Sequence, residues 1–314
     1  MFDGMFMGLV VALAGGVGAA KLLRGLVHVV PPEDLVIIGN VGDDFDFHGL
    51  HVSPDLDIVM YTLAGIVEPT RGWGVEDDTL NCLSMLQRLG FETWFKLGDK
   101  DVAVQMVRTD LLRSGASLSD AVRELCRLLG VKTRLIPMTN DHVRTMVVSG
   151  YTRLGFQEYF VKRRAADEVT GVLFEGCDVA RPAPDVIESI DRAERVVVCP
   201  SNPILSINPI LAIPGIRDAL KKTKGLVVGV SPIVGGKAIK GPADRIMSSL
   251  GIEASAHGVA KLYEDFLDHI IIDRADADLE TRIKELGIRA SVTDTIMKNV
   301  ENAVSLAVKV MDAK

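Results

Sequence analysis

Leu9-Val10-Val11-Ala12-Leu13-Ala14 is an unbroken apolar run, Gly15-Gly16-Val17-Gly18 follows it directly, and helical spacing begins near Ala19. A buried strand, a glycine turn and a helix in immediate succession open a βαβ unit. Short Val/Ile/Leu-rich runs recur at Leu35–Gly39, Thr133–Ile136, Arg195–Cys199, Leu226–Val230 and His269–Ile272. Segments of helical periodicity lie between many of them: Ala19–His28, Ser117–Leu129, Pro209–Lys221, Pro242–Leu250 and Asp278–Leu286. The alternation predicts an α/β, Rossmann-like three-layer fold with a mostly parallel sheet, whose strand carboxyl ends share one ligand crevice.

The rhythm breaks in the middle. Glu76–Gly90, Lys100–Ser114 and Ser117–Gly130 read as three consecutive helices. Thr145–Ser149, Phe156–Lys162 and Gly171–Phe174 then read as an antiparallel meander. With no internal repeat or low-complexity linker, residues 1–314 are expected to form a single domain carrying an inserted helical and antiparallel lobe at roughly 71–178.

Composition narrows the partners. A net charge of −7 without a Lys/Arg stripe argues against nucleic acid, because phosphate backbones need clustered cations. Any anionic ligand must therefore be held locally. Cys82, Cys126, Cys177 and Cys199 are widely spaced with no C-x-x-C pair, which suggests neither a zinc site nor a disulfide framework and fits a cytoplasmic protein. No apolar stretch is long enough for a bilayer span. The amino terminus has Asp3 and no basic flank, so it reads as a short tail before Met7 and then a strand, not a signal peptide.

Two features can carry phosphate chemistry. Gly15, Gly16, Val17 and Gly18 allow the backbone to approach a phosphate closely at a helix start, and Lys21 adds a charge one turn in. Lys21 stands where a dinucleotide fingerprint has its third glycine, and no G-K-[ST] follows, so neither standard glycine loop is present. The second strand ends in Gly39-Asn40-Val41-Gly42-Asp43-Asp44, followed by Asp46, His48 and Ser53-Pro54-Asp55-Leu56-Asp57. Carboxylates there can ligate magnesium, hold sugar hydroxyls or cap a helix. Ser53 as N-cap and Pro54 at the first helical position would make Asp55 a first-turn acid. Asp43 with Asp57 is the favoured metal pair, since a divalent ion would neutralise a diphosphate and explain the missing basic patch. His48 reads as a loop group.

Further loops border the same crevice. Arg71-Gly72-Trp73-Gly74 leads to Thr79, and Trp73 either stacks on a planar heterocycle or anchors a lid. Lys96-Leu97-Gly98-Asp99-Lys100-Asp101 is a charged turn in which Asp99 can cap a helix. Pro200-Ser201-Asn202-Pro203 and Ser231-Pro232-Ile233-Val234-Gly235-Gly236 follow strands, and Lys237 and Lys240 are candidate phosphate partners beyond the second of them. No G-x-S-x-G, H-E-x-x-H or usefully spaced Cys/His pair occurs, leaving phosphate chemistry by positioning.

Taken in order, G-G-V-G with Lys21, N-V-G-D-D, S-P-D-L-D, R-G-W-G with Thr79, K-L-G-D-K-D, P-M-T-N-D, P-S-N-P-I-L-S-I and V-S-P-I-V-G-G resemble the CofD family over nearly the whole chain. The resemblance implies a magnesium-dependent 2-phospho-L-lactate transferase. Its donor would be lactyl-diphospho-guanosine or the phosphoenolpyruvyl counterpart, its acceptor the deazaflavin Fo, its by-product GMP, and its assembly a homodimer. Carried onto this chain, Gly15–Gly18, Ser201, Asn202, Ser231 and Gly235 would hold the guanosine diphosphate. Asp43 and Asp57 would hold Mg2+, and Trp73 and Thr79 would shape the deazaflavin slot. Two other readings compete. A NAD-type dehydrogenase fits the glycine turn, but Asp43 lies later than a ribose-binding acid should. A related family of nucleotide-sugar-binding regulators typically continues the acidic pair with glycines and serines, where this chain has Phe45-Asp46-Phe47-His48-Gly49.

Overall fold

The computed structural model describes residues 8–314; the expected tail before Met7 lies outside them. Seven parallel strands form the central sheet: β1 (Val10–Ala14), β2 (Leu35–Gly39), β3 (Arg134–Pro137), β4 (Arg195–Val198), β5 (Leu226–Val230), β6 (His269–Asp273) and β7 (Arg289–Thr293). Their spatial order is 7-6-5-4-1-2-3, the doubly wound arrangement. β1 and β2 are buried at every position, because a parallel sheet covered on both faces needs continuous apolar runs. The order reverses between β1 and β4, so the crevice at their carboxyl ends is the topological switch point.

Helix α1 (Gly16–Leu26) packs closely on the last helix, Val300–Asp312, where a Cβ at Gly25 would overlap the Ala303 carbonyl. Between β2 and β3 the chain adds a hairpin (Phe45–Phe47 with Leu50–Val52) and helices α2 (Pro54–Leu63), α3 (Asn81–Arg88), α4 (Asp99–Arg113) and α5 (Leu118–Leu128). Between β3 and β4 it adds an antiparallel sheet of Thr152–Gly155, Arg144–Ser149 and Gly171–Glu175. β3 returns to the central sheet between these two excursions.

The differences from the sequence expectations have local causes. β7 was not anticipated, because its edge position leaves most of Arg-Ala-Ser-Val-Thr outside the core and removes the apolar signature. Phe156–Lys162 is a helical turn of the π type over Glu158–Lys162 and not a strand. The helix expected from Pro209 to Lys221 breaks at Pro214-Gly215, where Gly215 takes φ +91. Helix α3 begins only at Asn81, since Asp77 sits at φ +52 and Asp99 reaches across from α4 to accept the N–H groups of Asn81 and Cys82. Asp99 therefore caps α3, while Asp78 accepts from the Lys100 and Asp101 N–H groups at the start of α4. Among the described residues no helix is long and apolar enough to cross a membrane.

Candidate active site

At the carboxyl end of β1 the chain turns through Gly15 and Gly16, the latter at φ +72, a conformation that excludes ordinary side chains. A Cβ at Gly15 would strike Asp55 and Ser206, and one at Gly18 would overlap the Pro200 carbonyl. These glycines thus let three segments close on one another: the turn, the loop after β4 and the start of α2. The Gly15 N–H donates to Ser201 Oγ at 3.2 Å, tying two strand ends at the switch point.

Asn40, fully buried, organises the neighbouring strand end. Its Nδ2 donates to Asp43 Oδ1 at 3.1 Å and to Asp55 Oδ2 at 2.9 Å, while its Oδ1 accepts the Gly42 N–H at 2.8 Å. One amide thereby holds two carboxylates side by side. Gln157 Nε2 approaches Asp43 Oδ2 at 3.5 Å. Burial pushes the Asp43 carboxyl well above its ordinary range, and the Asp55 charge adds to the effect. Burial likewise pushes Asp55 up to about 7, against hydrogen bonds from Asn40 and the Gly16 backbone. Asp44, also raised by burial, accepts from Ser53 Oγ at 2.7 Å and meets His51 Nε2 at 3.1 Å. Ser53 consequently does not cap α2 through its side chain.

The expected metal pair was Asp43 with Asp57, whereas the carboxylate that shares Asn40 with Asp43 is Asp55. Asp57 faces away from the glycine turn into a buried ion pair with Arg108 of α4, whose Nη1 lies 3.2 Å from Oδ2 and whose Nη2 reaches Oδ1. Gln105 Nε2 donates to the same Asp57 Oδ2 at 2.8 Å. Asp57 thus accepts three hydrogen bonds from Arg108 and Gln105, and Asp55 is the acid beside Asp43. Sequence reasoning missed two residues of the site, Asp55, read there as a first-turn acid, and Asn40, whose signal was a short amide at a strand end followed by glycine and two acids.

The remaining candidates divide. Lys21 lies on the first turns of α1 and donates to the Met297 carbonyl at 3.2 Å. Asn202 Oδ1 accepts from the Ile204 and Leu205 N–H groups, so its acceptor shapes the loop. Ser231 is closed on its own loop: its hydroxyl donates to the Ile233 carbonyl at 2.9 Å and accepts the Ile233 N–H at 3.1 Å. Gly235, at φ +56, donates its N–H to the Asp276 carboxylate at the tip of a hairpin. Trp73 is half-buried with the Arg71 guanidinium 4.7 Å over its ring. Thr79 donates its hydroxyl to Asp99 and so helps join α3 to α4. His48 is a loop residue at φ +51 against the Glu92 carbonyl, 2.7 Å from Nε2.

The raised Asp55 carboxyl gives a pH signature with a definite sign. An unfolded Asp titrates near ~3.9, so between there and about 7 the folded chain holds the extra proton. The stability present below the unfolded value is lost as pH rises through the folded one. Without divalent cations, the melting temperature of the wild type minus that of Asp55→Asn should therefore fall between pH 5 and pH 8 in calorimetry. A flat difference would remove the buried carboxylate from that role.

A doubly wound α/β protein with a glycine turn, an amide-bridged carboxylate pair and oxygen-rich loops at its switch point belongs to the class that binds small ligands at strand carboxyl ends. Residues 10–313 match the family model of 2-phospho-L-lactate transferase CofD, and the chain belongs to the CofD family of transferases. It is 39% identical over 303 residues to the 2-phospho-L-lactate transferase of Methanosarcina mazei, covering 96% of this chain and 99% of that one. It is 41% identical over 305 residues to the phosphoenolpyruvate transferase of Kitasatospora aureofaciens, covering 95% of each. A crystal structure of a UPF0052 family member from Bacillus halodurans superposes with a TM-score of 0.66 at 17% identity, over 98% of this chain and 100% of that one, which shows a shared fold.

Proposed function

We propose that this chain moves a phospholactyl or phosphoenolpyruvyl group from a guanosine diphosphate donor onto the terminal hydroxyl of the deazaflavin Fo, releasing GMP, in coenzyme F-420 synthesis. The observation that carries the proposal is the Asp43–Asp55 pair held by Asn40 directly against the Gly15–Gly16 turn, in a chain of this family. Glycine backbone at the start of α1 suits a diphosphate, and a buried acidic pair beside it suits a hard divalent cation.

Asp43 and Asp55 are the residues that would hold Mg2+, because they share Asn40 whereas Asp57 is paired with Arg108. The donor set fits: two carboxylates, no nitrogen or sulfur, and burial that disfavours their ionised forms until a cation is present. Among the described residues no group of three or more His, Cys, Asp or Glu side chains has metal-holding geometry, so water and substrate oxygens would complete the shell, as is usual for magnesium. When bound, the ion supplies charge neutralisation at the transferring phosphate.

The chain's own groups supply orientation. The Val17 and Gly18 N–H groups at the start of α1 hold the departing GMP phosphate, while Ser201 and Asp55 fix the turn through the Gly15 and Gly16 backbone. Asp43 accepts the attacking hydroxyl's proton, directly or through water. The displacement is in line at the phosphorus remote from guanosine and needs no covalent enzyme intermediate. Trp73, half-buried and next in the chain to Gly72, which lies against Val17, offers the deazaflavin the ring face that Arg71 does not cover.

The relatives divide between lactyl and enolpyruvyl names, so the test has two arms. The chain is incubated with Fo, magnesium and each donor in turn, and the product mass is measured. An Fo adduct one phospholactyl or phosphoenolpyruvyl unit heavier, with equimolar GMP, is expected from at least one donor; no adduct from either would refute the proposal.

A further inference from the structure

We propose that Lys21 and Lys240 form a two-ammonium clamp for the donor's diphosphate, and that the hairpin after β5 serves to deliver Lys240 to it. This rests on the transferase reading above and names cationic residues for the same site. Ile233–Val234 and Lys237–Ala238 pair antiparallel around Gly235 and Gly236, both at positive φ, and Asp276 pins the tip through the Gly235 N–H. The returning strand then brings Lys240 back over the crevice, where its Nζ donates to the Arg71 carbonyl. Gly72 lies between it and the glycine turn: a Cβ there would sit 3.9 Å from Lys240 Nζ and 3.0 Å from Val17 Cγ1. Ser231 and Gly235 thereby acquire a purpose as builders of the loop.

The charges around Lys240 point to a missing anion. Among the described residues neither Lys21 nor Lys240 has a carboxylate within ion-pair distance, whereas Lys237 of the same hairpin meets Asp244 at 3.6 Å. Partial burial and the Lys21 charge lower Lys240's affinity for its proton, and the Glu68 charge, already engaged by Arg71, offsets them only in part. Val17 and Lys21 are four residues apart on one face of α1, and Gly72 separates Val17 from Lys240 Nζ, so the two ammonium groups border the same side of the turn, where an anion would offset their repulsion. Asp55 lies against Gly15 and Gly16, and Lys240 lies across Gly72 from Val17, so a carboxylate borders the turn at one end and an ammonium group approaches it from the other. A diphosphate laid along it would meet both. An ammonium has three donors, so Lys240 can keep the Arg71 carbonyl while binding phosphate, fixing the Arg71–Gly74 strap and Trp73 over the occupied site.

The test is calorimetric titration of the full chain with inorganic pyrophosphate in EDTA, which isolates the lysines from any metal, at several salt concentrations. Wild type should bind with salt-dependent affinity. Lys240→Met and Lys21→Met should each lose about tenfold or more with a shallower salt dependence, Lys240→Arg should stay near wild type, and Lys237→Met should be unaffected. Wild type that fails to bind, wild-type affinity in Lys240→Met, or an equal loss in Lys237→Met would overturn the clamp. The two proposals separate cleanly. Lysine-dependent pyrophosphate binding without any Fo adduct leaves the clamp and removes the transferase reading; adduct formation with unaltered binding in Lys240→Met does the reverse.

Discussion

Replacing Asp43 with asparagine should slow transfer to Fo by about 10²–10³-fold and leave the fold intact. Asparagine has nearly the same shape, and its side-chain oxygen can still accept from Asn40. What disappears is a buried negative charge beside a second one, an arrangement that burial and the Asp55 charge both penalise in the free protein. Thermal unfolding of Asp43→Asn without divalent cations should accordingly match or exceed the wild type at pH 8. Loss of activity with retained stability is the mark of a group kept for its chemistry. Asp55→Asn should behave alike, because both carboxylates lean on the same amide. A variant that turned over at the wild-type rate would refute Asp43 as base and ligand together.

The glycine turn was legible because strand, glycines and helix follow one another without a gap, and only a close approach explains three glycines at that place. The partner of Asp43 was not legible, for a reason that lies in helix geometry. Asp55 and Asp57 share the first turn of α2, and two residues at about 100° each place their side chains on roughly opposite sides. Spacing alone shows that the two diverge, but not which one meets β1. That is decided by Arg108, distant in sequence, and by the contact of Gly15 with Asp55, both of which exist only once the chain has folded. Ser231 and Gly235 illustrate the converse. Their residue types suit a phosphate loop and suit a hairpin equally well, and the hydrogen bonds to Ile233 and Asp276 assign them to the hairpin. β7 escaped notice because an edge strand needs few apolar residues.

Arg108→Met should cost about 3–5 kcal/mol of unfolding free energy in chemical denaturation, the largest stability effect expected in the molecule. Arg108 is fully buried and its guanidinium spans Asp57, Gln105 and the His51 carbonyl. Removing it strands the Asp57 carboxylate in the interior with only the Gln105 amide for support. The double variant Asp57→Asn/Arg108→Met should regain much of the loss, since a neutral amide facing a thioether leaves no uncompensated charge. This thermodynamic cycle separates the two first-turn acids of α2 by role. A ligand or base at Asp57 would give Asp57→Asn the low activity and full stability expected of Asp43→Asn. A structural ion-pair partner of Arg108 gives it a stability loss that Arg108→Met does not deepen additively, with the transfer rate per folded molecule falling only as far as the start of α2, and with it Asp55, shifts from the glycine turn.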